Sequence, residues 1–215
     1  MNATSIDNRT VSIVDDDEPL RTAISRLLRT AGYQVETYAS AAEFLLASDK
    51  CNRGCILLDV RMPGGPSGLE LHRHLLREGI RLPVIFMTGH GDVPMSVEAL
   101  KGGASDFLLK PVRKDKLLES INSALEKEAA DWEAECRLRE LRGCESRLSS
   151  TERKVFSRMI TGEPNKQIAD ELGCSERTVK AHRAKVMEKM RTQTFAELIQ
   201  MASLLEMHRK KHSLG

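Results

Sequence analysis

VSIVDDDEPLRTAISRLLRTAG, residues 11–32, carries two periodicities on either side of three consecutive aspartates. The run 11–14 is short and apolar, as a buried strand requires. After the acids, Pro19 takes a first-turn position, Leu20, Ile24, Leu27 and Leu28 recur at helical spacing, and Gly32 supplies a stop. A strand passing into a helix is the opening half of a βαβ unit. Further apolar runs at 35–38, 55–58, 84–87 and 107–109 alternate with amphipathic segments, which predicts a parallel sheet covered by helices.

Five strands alternating with helices predict an α/β, flavodoxin-like doubly wound domain, in which ligands bind outside the C-terminal ends of the strands. Asp15, Asp16 and Asp17 follow the first run, Asp59 ends the third, Thr88 follows the fourth, and Lys110 follows the fifth, just before Pro111. Carboxylates gathered at strand ends repel one another unless a hard cation such as Mg²⁺ lies between them. Alone they serve equally well as turn formers or as a helix N-cap. Thr88 and Lys110 at neighbouring ends change that balance. Asp59 offers a nucleophilic carboxylate for an acyl phosphate, a metal would neutralise the phosphoryl oxygens, and Thr88 and Lys110 supply a hydrogen bond and a positive charge.

From about Lys114 the pattern is helical throughout. Leu125, Ala129, Trp132 and Cys136 alternate four and three spacings over only two heptads, too few for a coiled coil, so a single exposed linker helix is expected. Gly143 is the expected break before a last domain with no strand signal. The formal charge of positions 143–215 is about +5 and that of 1–142 about −3, so the basic end suits a polyanion. Within it, NKQIADELGCSERTVKAHRAKVMEKM reads as two helices around Gly173, with Ser175 as the second N-cap. Val179, Val186 and Met190 should face the core, leaving Lys180, Arg183 and Lys185 much of the exposed surface. This is the helix-turn-helix pattern.

No segment approaches the roughly 20 apolar residues that span a bilayer, and MNATSIDNRT lacks a secretory pattern, so a cytoplasmic protein without a membrane partner is expected. The five scattered cysteines suit a reduced compartment, and Cys51 and Cys55 have no partner pair with metal-ligand spacing. His72 and His74 fall on an expected surface helix and His90 in the loop after Thr88, which suits solvated or locally hydrogen-bonded roles.

Over residues 11 to about 127, the motifs VDDDEPLR, LLDVRMP and MTGHGDVPMSVEALKGGASDFLLKP, in this order, closely resemble the receiver domains of response regulators. The resemblance implies Asp59 as the phosphorylated residue, Asp16 as a direct Mg²⁺ ligand with Asp15 assisting, and the main-chain carbonyl of Arg61 completing the set. It further implies that Thr88 and Lys110 read the phosphate, that Phe107 is an aromatic switch, and that Lys110-Pro111 is cis. Asp17, one position past the matched pair, reads as a helix-start residue. MPGGPSG has one residue more than the usual family spacing, which leaves the loop beside Asp59 open.

Residues 148–190 closely resemble the LuxR-type DNA-binding domain. The pair of resemblances indicates a two-component response regulator of the NarL/FixJ subfamily, and TGHGDVPM favours the FixJ side. The implied organisation is a receiver at 9–126, a helical linker at 127–143 and an all-α four-helix domain at 144–208, with recognition helix 176–189. Lys180 and Ala181 match positions that approach base edges, and Ala184 matches one that is often longer. Thr178, His182, Arg183 and Lys185 are implied phosphate or base contacts, and Lys166 and Ser175 complete the DNA-binding set. A sensor histidine kinase, double-stranded promoter DNA and a phosphorylation-linked homodimer are the implied partners, with RNA polymerase a further one such a regulator can have. The implied dimer surface spans 93–100 and 105–108.

Two other readings use the same residues. A phosphohydrolase with Asp59 as nucleophile commonly needs an acid two residues onward, where this chain has Arg61. A receiver acting only as a phosphate sink would not need the basic helix pair.

Overall fold

The computed structural model describes residues 10–47, 53–89 and 102–212, with side chains described to 207. His90, Cys51 and the 93–100 part of the implied dimer surface lie outside them. The chain divides into two compact units, Met1–Asp131 and Trp132–Gly215. No helix among the described residues is long and apolar enough to cross a membrane.

The first unit is built from β1 (Thr10–Val14), α1 (Glu18–Thr30), β2 (Gln34–Tyr38), α2 (Ala41–Ala47), β3 (Gly54–Asp59), α3 (Gly68–Arg77), β4 (Val84–Thr88), β5 (Asp106–Leu109) and the start of α4 (Lys114–Ser146). The five strands are parallel in the order β2-β1-β3-β4-β5, the doubly wound arrangement expected. Because successive strand residues point to opposite faces, each strand feeds two apolar layers. Val11, Ile13, Cys55, Leu57, Ile85 and Met87 meet Ile24 and Leu28 of α1 and Leu117, Ile121 and Leu125 of α4. Val14, Ile56, Leu58, Val84 and Phe86 meet Phe44 of α2 and Leu71 and Leu75 of α3. Each such side chain contributes about 1.5–3 kcal/mol by leaving water, which explains the near-continuous apolar runs of the central strands.

Local signals set the helix ends. Asp17 caps α1, its carboxylate accepting from Leu20 N at 3.0 Å, as a helix-start residue should. Ser67 and Glu70 form a capping box at α3. His72 departs from the expectation of a surface role. It is buried, edge-on to Phe86 with ring centroids 5.5 Å apart, and burial lowers its pKa. The reason is phase: His72 follows Leu71 on the stripe of α3 that faces the sheet, whereas His74 is exposed.

In the second unit, the last part of α4 is followed by α5 (Ser150–Ile160), α6 (Asn165–Leu172), α7 (Glu176–Lys189) and α8 (Phe195–His212). The expected break at Gly143 is not there. The helix continues through it to Ser146, because Leu138, Leu141 and Cys144 are buried with Val155, Phe156, Ile168, Val179, Val186 and Leu198 in one core. Tertiary burial outweighs the roughly 1 kcal/mol helix penalty of one glycine. Gly173 ends α6 in the left-handed conformation (φ 64°), where a side chain would be strained, and Cys174 N donates to Ala169 O at 3.0 Å.

Candidate functional site

The ends of β1, β3 and β5 meet at one point. Strand alternation puts Asp15 in phase with Val11 and Ile13, Asp59 with Cys55 and Leu57, and Lys110 with Leu108, so all three fall on the same side of the sheet. The Lys110 ammonium donates to Asp15 Oδ2 at 2.7 Å and lies 3.1 Å from Asp59 Oδ2. Asp15 is fully buried, and its other oxygen accepts from Asp17 N at 2.9 Å. Asp59 Oδ1 faces Arg61 N at 3.4 Å. Burial raises the Asp59 pKa, against the pull of Lys110. Burial alone would lower that of Lys110, but its hydrogen bonds to Asp15 and Asp59 prevail and raise it.

Asp16 is exposed, and one carboxylate oxygen from each of Asp15, Asp16 and Asp59 lies within 4.8 Å of the others. Three hard oxygen donors at that separation fit a hard divalent cation and would suit a thiophilic metal poorly.

Thr88 is buried at the end of β4, in phase with Val84 and Phe86 and thus opposite in phase to Asp59. Phe107, paired in register with Phe86, packs half-buried against that same layer. Lys110 N donates to Thr88 O at 2.7 Å, and the Lys110-Pro111 bond is cis.

Two participants escaped sequence reading. Arg21 Nη1 donates to the Asp15 main-chain oxygen, binding α1 to the acidic turn. Gly68 N donates to Val60 O at 3.1 Å, and a Cβ on Gly68 would stand 2.0 Å from the Asp59 carbonyl oxygen. The MPGGPSG loop thus returns against the main chain of Asp59, a closeness only glycine permits. Its glycine content was the available signal.

The second candidate surface is α7. Ser175 caps it, accepting from Thr178 N at 3.2 Å and sharing a hydroxyl contact of 2.9 Å with Thr178. Val179, Val186 and Met190 are wholly buried, as their spacing demands. Thr178, Lys180, Ala181, Ala184 and Lys185 are exposed, and so is Lys166 on α6. Arg183 differs from the exposed position expected. It is half-buried with its guanidinium 5.9 Å from the centroid of the Phe195 ring, and His182 is half-buried with Nδ1 enclosed. Both fall toward the buried stripe in helical phase. Arg177, overlooked in the sequence, is exposed, and its phase relative to Val179 and Val186 would have identified it.

Comparison with known proteins finds a family match in each of the two units. Residues 11–122 match the family described as response regulator receiver domain, and residues 146–202 that described as bacterial regulatory proteins, luxR family. The chain is 43% identical over 195 residues to Nodulation protein W of Bradyrhizobium diazoefficiens, covering 91% of this chain and 86% of that protein. It is 43% identical over 194 residues to the transcriptional regulatory protein FixJ of Azorhizobium caulinodans, covering 90% and 92%. The solved response regulator StyR is similar with a TM-score of 0.83 at 40% identity, over 91% of this chain and 98% of that one. Full-length FixJ from B. japonicum is similar with a TM-score of 0.57 at 38% identity, over 93% and 98%. FixJ and StyR carry the names of regulators and both matched families are regulatory, which favours a regulator over the phosphohydrolase reading.

Proposed function

Because the chain belongs to the two-component response regulators that join a receiver domain to a LuxR-type DNA-binding domain, we propose that it takes a phosphoryl group on Asp59 from a sensor histidine kinase and thereby alters its binding to promoter DNA. The observation that carries this reading is the position of Lys110 between Asp15 and Asp59. An Asp59 oxygen attacks the phosphorus of the kinase phosphohistidine, the new O–P bond forms as the N–P bond breaks, and the imidazole leaves. Lys110 can turn from Asp59 toward the transferred phosphoryl oxygens while keeping its bond to Asp15, and the Thr88 hydroxyl would donate to them. Asp15, Asp16 and Asp59, with the main-chain carbonyl of Arg61, would hold Mg²⁺, which when bound neutralises charge on the phosphoryl oxygens.

Thr88 drawn toward the phosphate frees space on the layer where Phe107 packs, and Phe107 turns inward, reshaping the surface that includes 105–108. That surface pairs two copies of the phosphorylated chain, so that two α7 helices read two half-sites. In each, Lys180, Ala181 and Ala184 approach base edges, while Lys166, Ser175, Thr178, His182, Arg183 and Lys185 border the sugar-phosphate backbone. RNA polymerase contact belongs to the same reading.

Acetyl phosphate with Mg²⁺, followed by borohydride trapping and peptide mass mapping, should place the label on Asp59. Label on Asp15 or Asp16, or undiminished label in Asp59→Asn, would overturn the assignment. Sedimentation with and without a beryllofluoride mimic tests the dimer: equal association in both states would leave exposure of the DNA-binding unit as the switch.

A further inference from the structure

We infer that Arg177 reads a guanine in the half-site and is the principal polar base-reading side chain of α7. The inference rests on the DNA-binding reading above and specifies its target. At about 100° per residue, the buried Val179, Val186 and Met190 define the inward direction of the helix, and Arg177, Ala181, Ala184 and Glu188 lie within about 40° of the opposite direction. All four are exposed.

Of these, Ala181 and Ala184 offer only methyl groups, which suit the methyl of thymine. Glu188 stands about 16 Å along the axis from Arg177, at the far end of the helix. Lys185 projects about 60° from the outward direction, toward a groove wall that presents phosphates, and Lys180, about 80° from it on the other flank, reaches a base edge only from the side and as a point charge without a bidentate fork. Arg183 is turned inward to Phe195. Arg177 therefore remains as the donor on the outward face, in the first turn after Ser175, the end of a recognition helix that reaches base edges. Among the described residues no carboxylate lies within ion-pair distance of it, so its guanidinium can make the bidentate contact to guanine O6 and N7.

The test uses the full-length chain with acetyl phosphate and Mg²⁺ to select binding sites from random 30-base-pair duplexes. Each guanine of the selected site is then replaced singly by 7-deazaguanine, which lacks the N7 acceptor. One replacement in each half-site should weaken the wild type about 5- to 100-fold. Arg177→Ala should bind the unmodified duplex correspondingly less well and be insensitive to that replacement. Arg177→Lys should retain the salt dependence while losing most of the discrimination. A uniform loss on every duplex in Arg177→Ala, with the logarithmic salt slope smaller by about one, would make Arg177 a phosphate contact and overturn the inference. Unchanged binding by Arg177→Ala would overturn it as well. Failure of the wild type to select any sequence would instead bring down the DNA-binding reading on which it rests.

Discussion

Lys110 and Asp15 stand 95 positions apart in the chain, yet the ammonium and carboxylate meet at 2.7 Å in the crevice where β1 and β5 end. The aspartate side chain is wholly enclosed and the lysine is partly buried. This bond connects strands that are not neighbours in the sheet, since β3 and β4 lie between them. Asp59, at the end of β3, stands within reach of the same ammonium.

Lys110→Met should leave Asp15 and Asp59 facing each other without a cation. The loss of one partner of a buried ion pair is expected to destabilise the first unit by roughly 3 kcal/mol in metal-free buffer. Millimolar Mg²⁺ should restore more stability to this variant than it adds to the wild type, by binding the folded form alone. Thermal melts with and without the metal give the comparison. A variant as stable as the wild type without metal would deny Lys110 its charge-balancing role.

Gly68→Ala introduces a Cβ 2.0 Å from the Asp59 carbonyl oxygen, which the main chain can relieve only by moving. A cost of about 1–3 kcal/mol is expected. The same movement should slow acetyl phosphate labelling of Asp59 several-fold. Denaturant titration and labelling rates measure the two effects, and an unaltered labelling rate in a destabilised variant would separate the loop from the site.

The Glu152 carboxyl in α5 accepts from Lys189 Nζ at 2.5 Å and from Ser149 N at 2.8 Å, and these bonds, Lys189 first, bring its pKa down to about 2. A depressed carboxylate stabilises the fold fully above its ordinary value of 4.5, and the contribution is lost as pH falls toward 2. Glu152→Gln should accordingly be less stable than the wild type at pH 7, with the gap closing through that window. A gap that does not vary with pH would assign the loss to packing.

Burial keeps His72 below the ordinary imidazole value of 6.5. The unfolded chain takes up a proton that the folded chain resists, so stability is whole above pH 6.5 and declines as pH drops beneath it. Between about pH 6.5 and 5 the wild type should lose stability more steeply than His72→Leu. Parallel curves would show that other groups govern acid sensitivity.

The sequence by itself determined the βαβ alternation, the five strands, the acids and Lys110 at strand ends, and the helix pair around Gly173. These are local signals: period, cap and stop are written in adjacent residues and survive in the fold because the apolar layers agree with them. Tertiary structure decided what depends on long-range burial and phase. It carried α4 through Gly143, because Leu138, Leu141 and Cys144 complete the second core. It put His72 against Phe86 and Gly68 against the Asp59 carbonyl, contacts whose partners come from different elements. It also turned Arg183 toward Phe195 and left Arg177 facing outward, since the direction of a helical side chain is set by which stripe the rest of the domain covers.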